Sequence, residues 1–285
     1  MITIQNEWLT ARFQELGAEL KSLQYEGREY IWGGDPAVWA GSCPVLFPIC
    51  GALKEGAYLL DGQSYTLRQH GFARNTAFAV EQVATDEVSF CLQDSEETRA
   101  VYPFAFCLTI TYRLVERILQ VTYEVKNRDE KPLYFSIGSH EGYLCPEGIE
   151  EYEIHFPEAE TLSACRLESG LVGDTTQPVM EEGRVLPLHY ADFDGDALIF
   201  KTHRSRSVQL RRKDGGRAVE VTFEGCPYLL LWTKPGANAP YICIEPWCGI
   251  ADSIHTDQNL KTKEGIQCLA PGETFTRTHM IEILK

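Results

Sequence analysis

Strict two-residue alternation of apolar and polar side chains is the feature that most limits how this chain can fold. Phe106, Leu108, Ile110, Tyr112 and Leu114 alternate with Cys107, Thr109, Thr111 and Arg113. After Glu116 and Arg117, Leu119, Val121, Tyr123 and Val125 alternate with Gln120, Thr122, Glu124 and Lys126. Successive side chains of a strand point to opposite faces, so each run buries one face and wets the other. Together they predict an antiparallel hairpin. Asp61-Gly62 predicts a second, because Asp-Gly favours the tight turn that matches strand twist. Val219, Val221 and Phe223 alternate again after Lys213–Gly216. Further short strands are expected over 2–5, 8–13, 18–25, 87–92, 133–137, 197–201, 228–233 and 240–244.

Helical periodicity is nearly absent. Pro36–Trp39 and the residues just after Gly249 read as single helical turns. Many short strands punctuated by Gly, Pro and Asp, with no helices between them, predict an all-β chain built as a large antiparallel β-sandwich or open barrel. No fixed-period repeat, low-complexity stretch or long linker divides it, so one domain over 1–285 is expected.

With 44% apolar residues the chain can fill a large core, and its net charge of −15 would repel nucleic acid or an anionic membrane. A small neutral molecule is the partner that fits. The N-terminal MITIQNEWLT has neither a basic n-region nor an apolar h-region, and no run is long enough to cross a bilayer, so a cytoplasmic protein is expected. The ten cysteines form no CxxC pair and no zinc-type Cys–His spacing; several stand inside apolar runs and read as buried reduced thiols. A monomer or a homodimer is equally compatible with the sequence.

Three segments interrupt the strand pattern with polar groups that a core does not select. His70, Gly71 and Arg74 lie in Gln69–Asn75, Gly138-Ser139-His140 ends an apolar strand, and Glu245 stands between Ile244 and Pro246-Trp247. Each places an ionisable group where a rigid strand gives way to a loop, a common setting for catalytic residues. Each also has a plain structural reading. A histidine before glycine serves many turns, and Glu245 could be held by an ion pair with Arg68 or Arg74. Glu245 is the sharpest of the three, since a carboxylate in so apolar a stretch loses hydration unless it has a partner or a task. His155, His189, His203, His255 and His279 lack such context and read as surface or packing residues.

The ordered blocks CPVLFPICGALKEG, QHGFAR, GSHEGY, ADFDGDALIF and APYICIEPWCGIAD resemble the aldose 1-epimerase (galactose mutarotase) family, in its shorter bacterial branch. The resemblance spans nearly the whole chain and implies the large sandwich of that family, the galactose mutarotase-like supersandwich. It implies ring opening and reclosure of a free sugar at its anomeric carbon, with Glu245 as general base and His140 as general acid. His70 would hydrogen-bond near the ring oxygen, Asp196 would belong to the sugar-binding set, and Arg74 would contact substrate. Trp247, Phe72 or Tyr143 would supply an aromatic face for the sugar. General acid–base transfer needs no cofactor and no metal. Glu141, next to His140, would hold the imidazolium near neutrality.

One departure stands out. Where the family carries an arginine after the glycine of its PxxGR segment, this chain reads Pro48-Ile49-Cys50-Gly51-Ala52. Lys54 or Arg74 could compensate. Two alternatives therefore stand beside the epimerase of free sugars: a non-catalytic carbohydrate-binding or sugar-sensing protein, favoured by Ala52, and a hexose-phosphate epimerase. The latter would need clustered cations, for which Arg204, Arg206, Arg211, Arg212 and Lys213 are candidates, although alternation makes these a solvated strand face.

Overall fold

In the computed structural model, which describes all residues 1–285, the expected hairpin pairs Phe106–Val115 with Ile118–Asn127, with Thr111 opposite Thr122 and Leu114 opposite Leu119. The apolar members of both alternating runs are buried. Each contributes about 1.5–3 kcal/mol before conformational entropy is set against it. This hairpin lies toward one end of a 14-stranded sheet. On one side it continues through Glu87–Gln93 to Ala79–Val83; on the other, through Thr274–Ile283, Ala218–Thr222 and Ser207–Arg212, to Tyr152–Glu168. From there the order runs through Leu198–Phe200, Tyr228–Trp232 and Tyr241–Cys248 to Ile137–Gly138, and two strands off this path, Glu141–Leu144 beside Tyr241–Cys248 and Leu171–Pro187 beside Tyr152–Glu168, complete the fourteen. The strand pairings are antiparallel throughout.

A four-stranded sheet, Ile2–Gln5, Leu9–Phe13, Leu20–Tyr25 and Arg28–Glu29, packs against the outer strands of the large one. Phe13 meets Tyr112 with ring centroids 4.5 Å apart, and Phe90 at 6.1 Å. The result is the all-β antiparallel sandwich, with a contiguous core of 65 buried residues.

Three elements differ from the sequence expectations. A short helix, Glu96–Val101, is closed at its start by a reciprocal Ser95–Thr98 capping box. Tyr152–Glu168 and Leu171–Pro187 form a long bulged hairpin absent from the expected strands, in which clear alternation is confined to the start, at Tyr152, Ile154 and Phe156. The residues after Gly249 are not helical. Asp252 donates its N–H to the Ala52 carbonyl at 2.9 Å, while its carboxylate accepts from the Lys54 N–H at 3.0 Å and from Lys263 Nζ at 2.7 Å. Those bonds hold the segment extended, and Val172 docks the tip of the long hairpin onto it through its N–H to the Asp252 carbonyl at 2.8 Å. All ten cysteines are free, and eight are buried.

Candidate active site

Alternation within Tyr241–Cys248 sorts its side chains. Ile242 and Ile244 enter the main core, while Tyr241, Cys243 and Trp247 join smaller clusters on the opposite face. Glu245 belongs to that second row, opposite Leu230 on the neighbouring strand, and is 1% exposed. The adjacent strand Ile137–Gly138 pairs Gly138 with Trp247, where a Cβ would lie 2.5 Å from the indole. Glycine at 138 thus lets the chain pass close to Trp247 and deliver His140 beside Glu245. His140 Nε2 lies 3.4 Å from Glu245 Oε2.

His70 arrives from a tight turn. Gly71 has φ +71° and sits so near the Phe47 carbonyl that a Cβ would be 2.3 Å from its oxygen. His70 itself has a positive φ of 67°, a conformation costly for a side-chain-bearing residue and frequent at functional sites. Its Nδ1 accepts the Gly51 N–H at 3.1 Å. The neutral ring therefore carries its proton on Nε2, leaving that atom as a donor. His70 and His140 meet edge to face, with centroids 5.7 Å apart.

The three residues line one cavity of about 540 Å³, within the roughly 300–1,000 Å³ usual for small-molecule sites. Arg74, Asp196 and Trp247 line it too. Phe72 and Tyr143 do not, which corrects that expectation. Phe72 turns inward against Phe47, Tyr102 and Phe106, each with centroids 6.1 Å away. Tyr143 shares the inward face of Glu141–Leu144 with Glu141 and is 1% exposed. The aromatic surface comes instead from Trp39, Trp232 and Trp247. Trp39 covers His140 at 5.1 Å and 31°, and Trp232 meets its edge at 5.4 Å. Gln69, Lys234 and Leu167 also face the cavity. Trp39 and Trp232 carry only a core-like signal in the sequence, and Leu167 depends on a hairpin that alternation does not reveal.

Burial governs the charges here. The Glu245 carboxyl is pushed well above the usual carboxylate range by loss of hydration, reinforced by Glu141 and Asp196 and opposed by Arg74. Desolvation, with Arg74 adding to it, pushes the His140 imidazole down to about 3. His70 is lowered by burial, then by His140 and Arg74. In the free site burial thus works against charge on either member, disfavouring both the Glu245 carboxylate and the His140 imidazolium. That corrects the expected role of Glu141: its side chain points away from the cavity and accepts from His279 Nε2 at 3.0 Å in the core.

Neither Arg68 nor Arg74 forms an ion pair with Glu245, and the Arg74 guanidinium lies free at the cavity wall. Lys54 is committed elsewhere, its Nζ donating to the Ile254 carbonyl at 2.9 Å. The turn of the long hairpin lies beside Ala52: a Cβ on Gly170, which lines the cavity, would sit 3.7 Å from the Ala52 Cβ. None of Arg204, Arg206, Arg211, Arg212 and Lys213 lines the cavity.

A sequence profile described as Aldose 1-epimerase matches residues 1–281. The chain belongs to the aldose 1-epimerase family. It is similar to the plasmid-encoded Protein LacX of Lactococcus lactis subsp. lactis, 34% identical over 298 residues and covering 99% of both chains. Among solved structures, a galactose mutarotase related enzyme from Lactobacillus acidophilus has a TM-score of 0.94 at 32% identity, covering 100% of this chain and 97% of that one. A galactose mutarotase-like protein from Lactobacillus casei has a TM-score of 0.95 at 29% identity, with 100% coverage of both. No helix is long and apolar enough to cross a membrane.

Proposed function

We propose that this family member interconverts the α and β anomers of a free aldose by acid–base ring opening. The observation that carries the reading is the meeting of Glu245, His140 and His70 at one cavity of sugar size with tryptophan walls. Ring opening requires one group to take the anomeric hydroxyl proton and another to protonate the ring oxygen. Glu245 and His140 hold one transferable proton between them. Substrate binding brings hydroxyls and Arg74 to bear on the carboxylate, so that Glu245 becomes the base and His140 the acid. The bond between C1 and the ring oxygen breaks, the C1–C2 bond rotates, and reverse transfers close the opposite anomer. His70 Nε2–H steadies the ring oxygen, and Arg74 and Asp196 bind hydroxyls.

A free sugar is favoured over a sugar phosphate because the cavity cations are only Arg74 and Lys234, set against Glu245 and Asp196. NMR exchange spectroscopy across a panel of aldoses and hexose 6-phosphates tests the reading. Catalysed exchange of at least one free aldose is expected. Saturable sugar binding without acceleration would instead make the chain a binding protein.

A further inference from the structure

Behind the His140–Glu245 pair lies a group that proton transfer does not use. Cys243 is two residues before Glu245 on the same face of its strand, fully buried, and its thiol makes no hydrogen bond. An imidazole nitrogen of His140, Cys243 Sγ and a Glu245 carboxylate oxygen all lie within 4.8 Å of one another. We propose that these three side chains form a binding site for a thiophilic divalent cation of the zinc class, and that the ion shuts the sugar site by occupying its acid–base pair.

The donor set makes the selection. Magnesium and calcium prefer all-oxygen cages, whereas one sulfur, one nitrogen and one carboxylate oxygen suit zinc or cobalt. Zinc bonds of about 2.0–2.3 Å bring donor atoms to within roughly 3–4 Å of each other, so contraction of about 1 Å completes the triangle. One edge, His140 to Glu245, is already 3.4 Å. The scaffold is stiff, since Cys243 and Glu245 share a strand and the Ser139 N–H donates to the Pro246 carbonyl at 3.3 Å, tying the His140 loop to it. His140 and Glu245 face the cavity, leaving the fourth position for water. Binding releases the thiol and carboxyl protons to solvent, and the dication with thiolate, carboxylate and neutral imidazole has no net charge, which suits a buried site.

The ion site itself does not rest on the epimerase reading; its inhibitory effect does. Cobalt(II) titrated into the full chain reads the site directly. A near-ultraviolet thiolate-to-cobalt absorption saturating at one equivalent is expected, lost in Cys243→Ser and kept in Cys268→Ser, which removes the exposed cysteine. No band, or a band surviving in Cys243→Ser, overturns the site. His140→Asn provides a second variant that leaves the thiol in place. It should weaken cobalt at least about tenfold through loss of a ligand, and unchanged affinity overturns the site even if Cys243→Ser fails to fold. Zinc should then slow anomer exchange in step with occupancy. A full cobalt band with exchange unaffected by zinc overturns the inhibition and counts against the assigned acid–base pair, whereas a protein without exchange activity still reports on the site through cobalt.

Discussion

Two histidine–glutamate contacts lie back to back in this molecule, and consecutive residues contribute to both. His140 turns to the cavity and meets Glu245 at 3.4 Å; Glu141 turns to the core and meets His279 at 3.0 Å. The core contact is enclosed, with the His279 ring 5.6 Å from that of Tyr123. The cavity contact is longer and a large space opens beside it, while each pair keeps one buried atom without a partner, His140 Nδ1 in the first and Glu141 Oε2 in the second. The same two side-chain types thus serve opposite ends. Sealed and hydrogen-bonded, they tie strands together in the core; set farther apart at the wall of a cavity, they are open to a ligand, as the proposed proton transfer requires.

If that contrast is right, removing one member of each pair gives different losses. His140→Asn keeps a hydrogen-bond donor but cannot deliver a proton, and should lower anomer exchange by about 10²–10⁴-fold with little loss of stability. Exchange near the wild-type rate would make His140 an orienting residue. His279→Leu should do the reverse. It leaves the Glu141 carboxyl buried without its partner, at a cost of about 3–5 kcal/mol in chemical denaturation, while turnover per folded molecule stays close to wild type. Unchanged unfolding would show that the core pair contributes nothing.

The sheet was legible because its strands obey a period. Phe106–Val125 announces its own register, and the same alternation accounts for Glu245 and His140 standing at one cavity. It also exposes two misreadings. Glu141 was expected to support His140, but neighbouring residues leave a strand on opposite sides. Tyr143, in phase with Glu141, follows it into the core. The long hairpin was not legible because bulges between His155 and Cys165 break its period and most of Leu171–Pro187 is exposed or half-buried. Leu167 and Gly170 were missed with it. Trp39 and Trp232 were missed for another reason: a tryptophan beside a cavity and one in a core have the same sequence signature.

Smaller effects sharpen the comparison within the cavity. His70→Asn can still accept the Gly51 N–H and donate a hydrogen bond, so binding should weaken by about tenfold with measurable turnover kept. A greater loss of turnover at His70 than at His140 would exchange their roles. Ala52→Arg must pass the Ser169–Gly170 turn to reach the cavity, and should lower KM for a common hexose by no more than about tenfold. An unchanged KM in the folded variant would mean that the cavity is shaped for a different sugar.

Glu245 stands in a setting unfavourable to a carboxylate, and the proposed proton transfer gives a reason for keeping it there. Burial holds its carboxyl well above the ordinary range, and glutamine is nearly the same shape without the ability to ionise. The direct measurement is the anomer-exchange rate of Glu245→Gln by NMR on the best aldose, at equal folded concentration to wild type. A fall of about 10²–10⁴-fold with sugar binding retained is the predicted result. Exchange at the wild-type rate would contradict it.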